Sequence, residues 1–170
     1  HNERLSLELP VETAQLGTPF HGSICAADGR PFFIEHNIVR LAENRQSFDT
    51  LAQLSNHISV TAQLYEALWR RRSISLLSGE DFSLNEEKKL LLDWTRPISG
   101  ETILDVGCST AFYARNLQGF EPDTQTVALD FSFPMLQKAR EKAVTEKINL
   151  FLIQANARQI PFFNDTFDII

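Results

Sequence analysis

Residues 101–170 predict an α/β fold, an open parallel sheet with helices in its crossovers. Short apolar strand-like runs alternate there with helix-length segments, and right-handed crossovers turn that order into parallel pairing. The helical segment after Ser132 is two-sided, with Leu136, Ala139, Ala143 and Val144 facing inward and Lys138, Glu141 and Lys142 facing out. Ahead of this half domain the sequence predicts a helical lead-in over 42–100 and a small β-rich module over 1–41.

In the first module, Leu5-Ser6-Leu7-Glu8-Leu9 alternates with the period of a half-buried strand and stops at Pro10. Ser23-Ile24-Cys25 and Pro31-Phe32-Phe33-Ile34 flank Asp28-Gly29, a strong hairpin signal. From Ser47 to Leu77 the period turns helical. Leu51, Leu54, Ile58, Thr61, Leu64, Tyr65 and Leu68 recur at three and four, which fits one long helix or two shorter ones ending at Ser78-Gly79. A further helix opens at Ser83, whose hydroxyl and Glu86 three residues on can close a capping box. Leu90, Leu91 and Trp94 give it an apolar side, and Arg96-Pro97 with Ser99-Gly100 ends it.

Strands follow at Thr102–Val106, Thr126–Phe131, Asn149–Gln154 and Phe167–Ile170. The turn Gly107-Cys108-Ser109-Thr110 leads into a helix that reaches about Leu117. Ser132 caps the next helix, with Pro134 in its first turn, where the missing N–H is harmless. The sequence lacks an initiating methionine and ends on what reads as the opening of a buried strand, so a fragment of a longer protein is expected.

Composition narrows the function classes. The apolar share of 43% and thirteen phenylalanines suit a packed core. A net charge of −6 offers no basic footprint for a phosphate backbone, which disfavours nucleic acid as a partner. Cys25 and Cys108 lie too far apart in sequence for a CxxC pair, and two cysteines make no disulfide framework; a reducing, cytoplasmic setting is expected. No apolar run approaches the roughly 20 residues that a membrane-spanning helix needs. Cys25, His21 and His36 are scattered and do not make a tetrahedral metal site, so no metal is expected. Arg70-Arg71-Arg72 after Trp69 reads as the solvated end of a helix, and Tyr65 with Trp69 as core.

Ligands of open parallel sheets bind beyond the carboxyl ends of the strands, near the point where strand order reverses. Three positions fall at such ends: the turn from Asp105 to Ala111, Asp130, and Asn156-Ala157. Asp130 is a carboxylate able to take both hydroxyls of a ribose diol. Gly107 lets the backbone turn sharply and approach a ligand with no Cβ in the way. Asn156 offers a carbonyl to an adenine amino group and an N–H to a ring nitrogen, while Phe131 and Ala157 offer apolar faces for the base. Asp105 can balance an ammonium group or tie down the loop.

Asp105-Val106-Gly107-Cys108-Ser109-Thr110-Ala111 resembles the D/E-x-G-x-G-x-G first motif of class I S-adenosylmethionine-dependent methyltransferases. Leu129-Asp130-Phe131-Ser132-Phe133-Pro134-Met135-Leu136 is similar to their second motif, an acid followed by S-x-x-M-L. Asn156-Ala157-Arg158-Gln159-Ile160-Pro161-Phe162, with Phe167-Asp168, resembles the D-A-x-x-L-P-F…F-D segment of the subgroup that includes the ubiquinone and menaquinone methyltransferases. The resemblance implies a Rossmann-like sheet, of which residues 101–170 hold the first four strands. It implies S-adenosyl-L-methionine as cofactor, held by Asp105, Gly107, Cys108, Ser109, Asp130, Phe131, Met135, Asn156 and Ala157. It also implies methyl transfer to a small or lipophilic acceptor.

Three positions depart from the pattern. Ser109 and Ala111 replace the second and third glycines, and Asn156 replaces the acid of the third motif. Ala111 costs little if its φ is negative. Ser109 brings a Cβ toward the path of the methionyl tail, but its hydroxyl could bond the tail's carboxylate. No catalytic residue is nominated, because the family has no universal one in the cofactor half. The competing reading is a non-catalytic methyltransferase-like subunit that binds a protein partner. A nicotinamide dinucleotide fold is disfavoured, since its G-x-G-x-x-G turn would need glycines where Ser109 and Phe112 stand.

Overall fold

The structure, a computed structural model, describes residues 21–25, 31–41, 79 and 83–170. The expected strand at Leu5–Leu9, the Asp28-Gly29 turn, the helical run over 51–68 and the arginines at 70–72 lie outside the described residues.

Six strands form one sheet: β1 (Gly22–Cys25), β2 (Pro31–Glu35), β3 (Ile38–Arg40), β4 (Thr102–Val106), β5 (Gln125–Asp130) and β6 (Phe151–Gln154). Their spatial order is β1-β2-β3-β6-β5-β4. β4, β5 and β6 are parallel, as the alternation of strand and helix predicts. The fourth expected strand is reduced to a parallel bridge between Ile103 and Ile169 on the free side of β4, where Leu104 N–H donates to Ile169 O at 2.9 Å. The chain thus builds outward from β4 to β5 and β6, then returns to the opposite side of β4. That reversal puts the topological switch point at the carboxyl end of β4, where the turn at Gly107 stands.

The amino-terminal strands extend this sheet. β1 and β2 pair antiparallel around the expected hairpin. β3, which the sequence analysis did not assign, pairs antiparallel with β2 and parallel with β6. His36 and Asn37 join β2 to β3 with φ of 52° and 61°, the two left-handed residues of a tight hairpin whose twist matches its strands. The open edge of β6 is thereby covered.

Three helices are described: α1 (Leu84–Thr95), α2 (Phe112–Phe120) and α3 (Phe133–Glu146). Ser83 and Glu86 form the expected capping box: Glu86 N–H donates to Ser83 Oγ (3.2 Å) and Ser83 N–H to Glu86 Oε2 (2.8 Å). The expected apolar side of α1 is not its buried one. Trp94 is 78% exposed and Leu90 is exposed too, while the buried residue is Glu87, drawn inward by the Tyr113 hydroxyl of α2 at 2.6 Å. A carboxylate can be buried when a donor meets it, as the Tyr113 hydroxyl does here. Ser132 stands at the N-cap of α3, but its side chain makes no capping bond. Pro134 lies in the first turn as expected, and Leu136, Ala139 and Ala143 are buried.

The core lies on both sheet faces. Ile38, Ala128 and Leu152 pack on one side with Cys108, Ala114, Leu136 and Ala139. Val39, Leu104, Val127, Leu129 and Ile153 pack on the other, against Phe162 and Phe167, whose rings meet edge-on at 4.9 Å. Among the described residues no helix is long and apolar enough to cross a membrane.

Candidate functional site

The carboxyl ends of β4, β5 and β6 bring the first two motifs together. After β4 the chain turns back on itself: Gly107 N–H (2.8 Å) and Cys108 N–H (3.0 Å) both donate to Leu129 O on β5. Gly107 has φ +75°, a left-handed conformation that glycine adopts freely. A Cβ built there would meet nothing within 4 Å, so the space above the turn is open to a ligand.

Ser109 and Ala111 also sit in the left-handed region, at φ 53° and 56°. The condition under which Ala111 costs little, a negative φ, is therefore not met. All three motif positions that favour glycine have the backbone of glycine, and two of them carry side chains against that preference. Ala111 is fully buried and its methyl belongs to the core, while the Ser109 hydroxyl is directed at Met135 Sδ (3.6 Å).

Asp130 ends β5 beside this turn. Its Oδ2 accepts Ser109 N–H at 2.7 Å and its Oδ1 accepts Ser132 N–H at 2.8 Å. The carboxylate is thus clasped between the glycine-type turn and the start of α3. Asp105 Oδ2 accepts Ala114 N–H (3.2 Å), fastening the first turn of α2 to the tip of β4. A negative charge suits that helix end.

The remaining site residues divide. Met135 is buried under the turn and forms a wall through its sulfur. Cys108 is turned into the core, so only its backbone belongs to the turn; burial above all, then the charges of Asp130 and Asp105, pushes its thiol pKa well above the ordinary value. Phe131 is half-buried, whereas Asn156 and Ala157 are exposed beyond β6. Asn156 Oδ1 accepts Arg158 N–H (3.0 Å), a local turn of the kind asparagine makes at strand ends. His21 and His36 meet edge-on at 4.6 Å, and among the described residues no group of three or more side chains is placed to hold a metal.

Two contacts near the site are not foreseen from the sequence. Gln154 is buried at the end of β6, where its Nε2 donates to Phe131 O at 3.0 Å. Asp168 of the F-D pair has a structural part: its Oδ2 accepts both the N–H (2.8 Å) and the hydroxyl (2.9 Å) of Thr102, tying residues past the site to the start of β4. These bonds hold its carboxyl below the usual carboxylate value.

The sequence comparisons point to the same segment that builds this turn and acid. Residues 103–170 match the family described as "Methyltransferase domain". Over this segment the chain is similar to methyltransferase domains. Curated relatives of that kind include the malonyl-[acyl-carrier protein] O-methyltransferase of Legionella pneumophila, 34% identical over 43% of this chain and 25% of that protein. A demethylmenaquinone methyltransferase of Halalkalibacterium halodurans is 37% identical over 64% of this chain and 45% of its own length. The match to the biotin biosynthesis bifunctional protein BioHC of Teredinibacter turnerae reaches into the amino-terminal part, at 30% identity over 80% of this chain and 22% of that one. The chain therefore spans less than half the length of these relatives. In fold it resembles phosphoethanolamine N-methyltransferase 2 of Haemonchus contortus, with a TM-score of 0.52 and 19% identity over 74% of this chain and 28% of that one.

Proposed function

We propose that the methyltransferase domain binds S-adenosyl-L-methionine and transfers its methyl group to a small or lipophilic acceptor. One observation carries the reading: the Asp130 carboxylate stands against the amide of Ser109, beside the open left-handed turn at Gly107, on neighbouring parallel strands. A ribose diol needs such an acceptor pair, and a cofactor tail needs backbone without a Cβ in its path.

The cofactor supplies a sulfonium methyl group already activated for displacement. The chain's part is to bind and align it, and alignment alone can supply much of the rate. Asp130 would take the ribose hydroxyls, Gly107 and the backbone of Cys108 and Ser109 would line the tail, and Met135 would support the turn from below. Phe131 and Ala157 would flank the base, with Asn156 supplying its polar partner. Asp105 holds the start of α2 in place. The names of the malonyl-[acyl-carrier protein] and demethylmenaquinone relatives support a carrier-bound malonyl or a quinone-like acceptor, and a sequence with only two cysteines, far apart, suits a cytoplasmic setting.

Calorimetric titration of the full chain with S-adenosylmethionine and S-adenosylhomocysteine tests this. Both are expected to bind, and Asp130→Ala to weaken each by about tenfold or more, the loss of one to two charge-assisted hydrogen bonds. No heat at millimolar ligand with the unaltered chain would refute cofactor binding and leave the fold in a non-catalytic, partner-binding role.

A further inference from the structure

The amino-terminal strands do more than cover the edge of β6. In register, Arg40 of β3 pairs with Gln154 of β6, and Gln154 pairs with Asp130 of β5. Paired residues of a parallel sheet point to one face, so three polar side chains stand in a row leading to the cofactor turn. Arg40 Nε–H donates to Gln154 Oε1 at 2.9 Å. That bond settles which end of the Gln154 amide faces which way: the oxygen toward Arg40 and the nitrogen toward Phe131 O, at 3.0 Å. Phe131 lies between Asp130 and Ser132, whose N–H holds Asp130 Oδ1.

Arg40 is itself held on two further sides. Glu35 accepts from its Nη1 at 2.6 Å, and its guanidinium lies 4.5 Å from the centre of the Phe133 ring at the start of α3. A planar fork with several fixed donors suits this position, and lysine could not make the same set of contacts.

We propose that Arg40 is a positioning residue for the nucleoside site. It orients Gln154, which anchors the Phe131 carbonyl and so keeps the 130–132 bend in the shape that presents the Asp130 carboxylate. The proposal rests on the reading of Asp130 as the ribose acceptor. It adds that residues nearly a hundred positions upstream, in the β-rich strands, set the geometry of that acceptor.

The test is calorimetry on the full chain with S-adenosylhomocysteine and with its 2′-deoxy counterpart, for the unaltered protein, Arg40→Met, Arg40→Lys and Gln154→Leu. The unaltered protein is expected to bind the deoxy ligand more weakly, because one hydroxyl of the diol is gone. Arg40→Met is expected to bind S-adenosylhomocysteine roughly tenfold more weakly, in the range of residues that couple through a network. It should also narrow the gap between the two ligands, which a loss of folding alone would not do. Arg40→Lys should behave like Arg40→Met, and Gln154→Leu should reproduce the narrowed gap without touching Arg40. An unchanged gap in both Arg40→Met and Gln154→Leu, with the unaltered chain binding normally, overturns the role of Arg40 and leaves the cofactor reading standing. Failure of the unaltered chain to bind either ligand overturns the cofactor reading itself, and this proposal with it.

Discussion

Exchanging residues at the left-handed turn should reorder the stability of the chain in a way that the three φ values dictate. Gly107, Ser109 and Ala111 have φ of 75°, 53° and 56°. For a residue with a Cβ this region costs about 1–2 kcal/mol, while glycine enters it freely. Glycine also loses more backbone freedom on folding, which takes back about 0.5–1 kcal/mol. Ser109→Gly should therefore gain roughly 0.5–1 kcal/mol, since the contact it gives up, a hydroxyl against a thioether at 3.6 Å, is weak. Ala111→Gly gains the same relief but removes a fully buried methyl, worth about 0.8 kcal/mol, so its net effect should lie near zero. Gly107→Ala should lose about 1 kcal/mol from the backbone alone, because a Cβ there meets no neighbour. For a chain of this size each kcal/mol moves the midpoint by about 2–4 °C, so the variants are resolvable by thermal unfolding followed by circular dichroism. The order should be Ser109→Gly above the unaltered chain, Ala111→Gly level with it, and Gly107→Ala below. A midpoint for Ser109→Gly lower than that of the unaltered chain would refute the left-handed assignment and the strain reasoned from it.

Tyr113→Phe should destabilise the chain by about 1–3 kcal/mol in denaturant titration, because it leaves the buried Glu87 carboxylate without the hydroxyl that meets it; an unchanged midpoint would show that α1 does not depend on this bond. Asp168 has a folded pKa below its ordinary 3.8, so its bonds to Thr102 contribute stability above that value and lose it as pH falls through the lowered pKa. Asp168→Asn should accordingly lower stability at neutral pH and flatten that part of the acid limb; parallel pH–stability curves for the two proteins would contradict it. Cys108 should resist thiol reagents at neutral pH until the chain is unfolded, since burial disfavours the thiolate. Rapid modification of the folded chain at residue 108 would place that side chain outside the core.

The sequence made the parallel half of the fold legible because each element there is locally consistent: β4, β5 and β6 are apolar runs of strand length, and α3 shows its buried side in its spacing. What stayed hidden depends on partners distant in the chain. The inward side of α1 could not be read from its leucines and Trp94, because the contact at its buried Glu87 comes from Tyr113 of α2. β3 is only three residues long, and although a two-residue hairpin joins it to β2, its other partner, β6, lies more than a hundred positions away. At the site, the turn and the acid at 130 were visible as residue types at strand ends, whereas the sign of φ at Ala111 follows only from the path of the turn.

Gln154 is the instructive case, because a signal for it did exist. In β6 the side chains alternate, and Leu152 and Gln154 share the face that packs against α3. An amide at a position whose neighbour two residues earlier is core must find partners or be costly to bury. Its two partners come from opposite directions, Arg40 on one side and the Phe131 carbonyl on the other. A polar residue on the apolar register of a strand, one pair away from the acid proposed to hold the ribose, therefore marks where support for that acid enters the sheet. Here that support comes from the amino-terminal strands, which makes their pairing with β6 part of the architecture of the site.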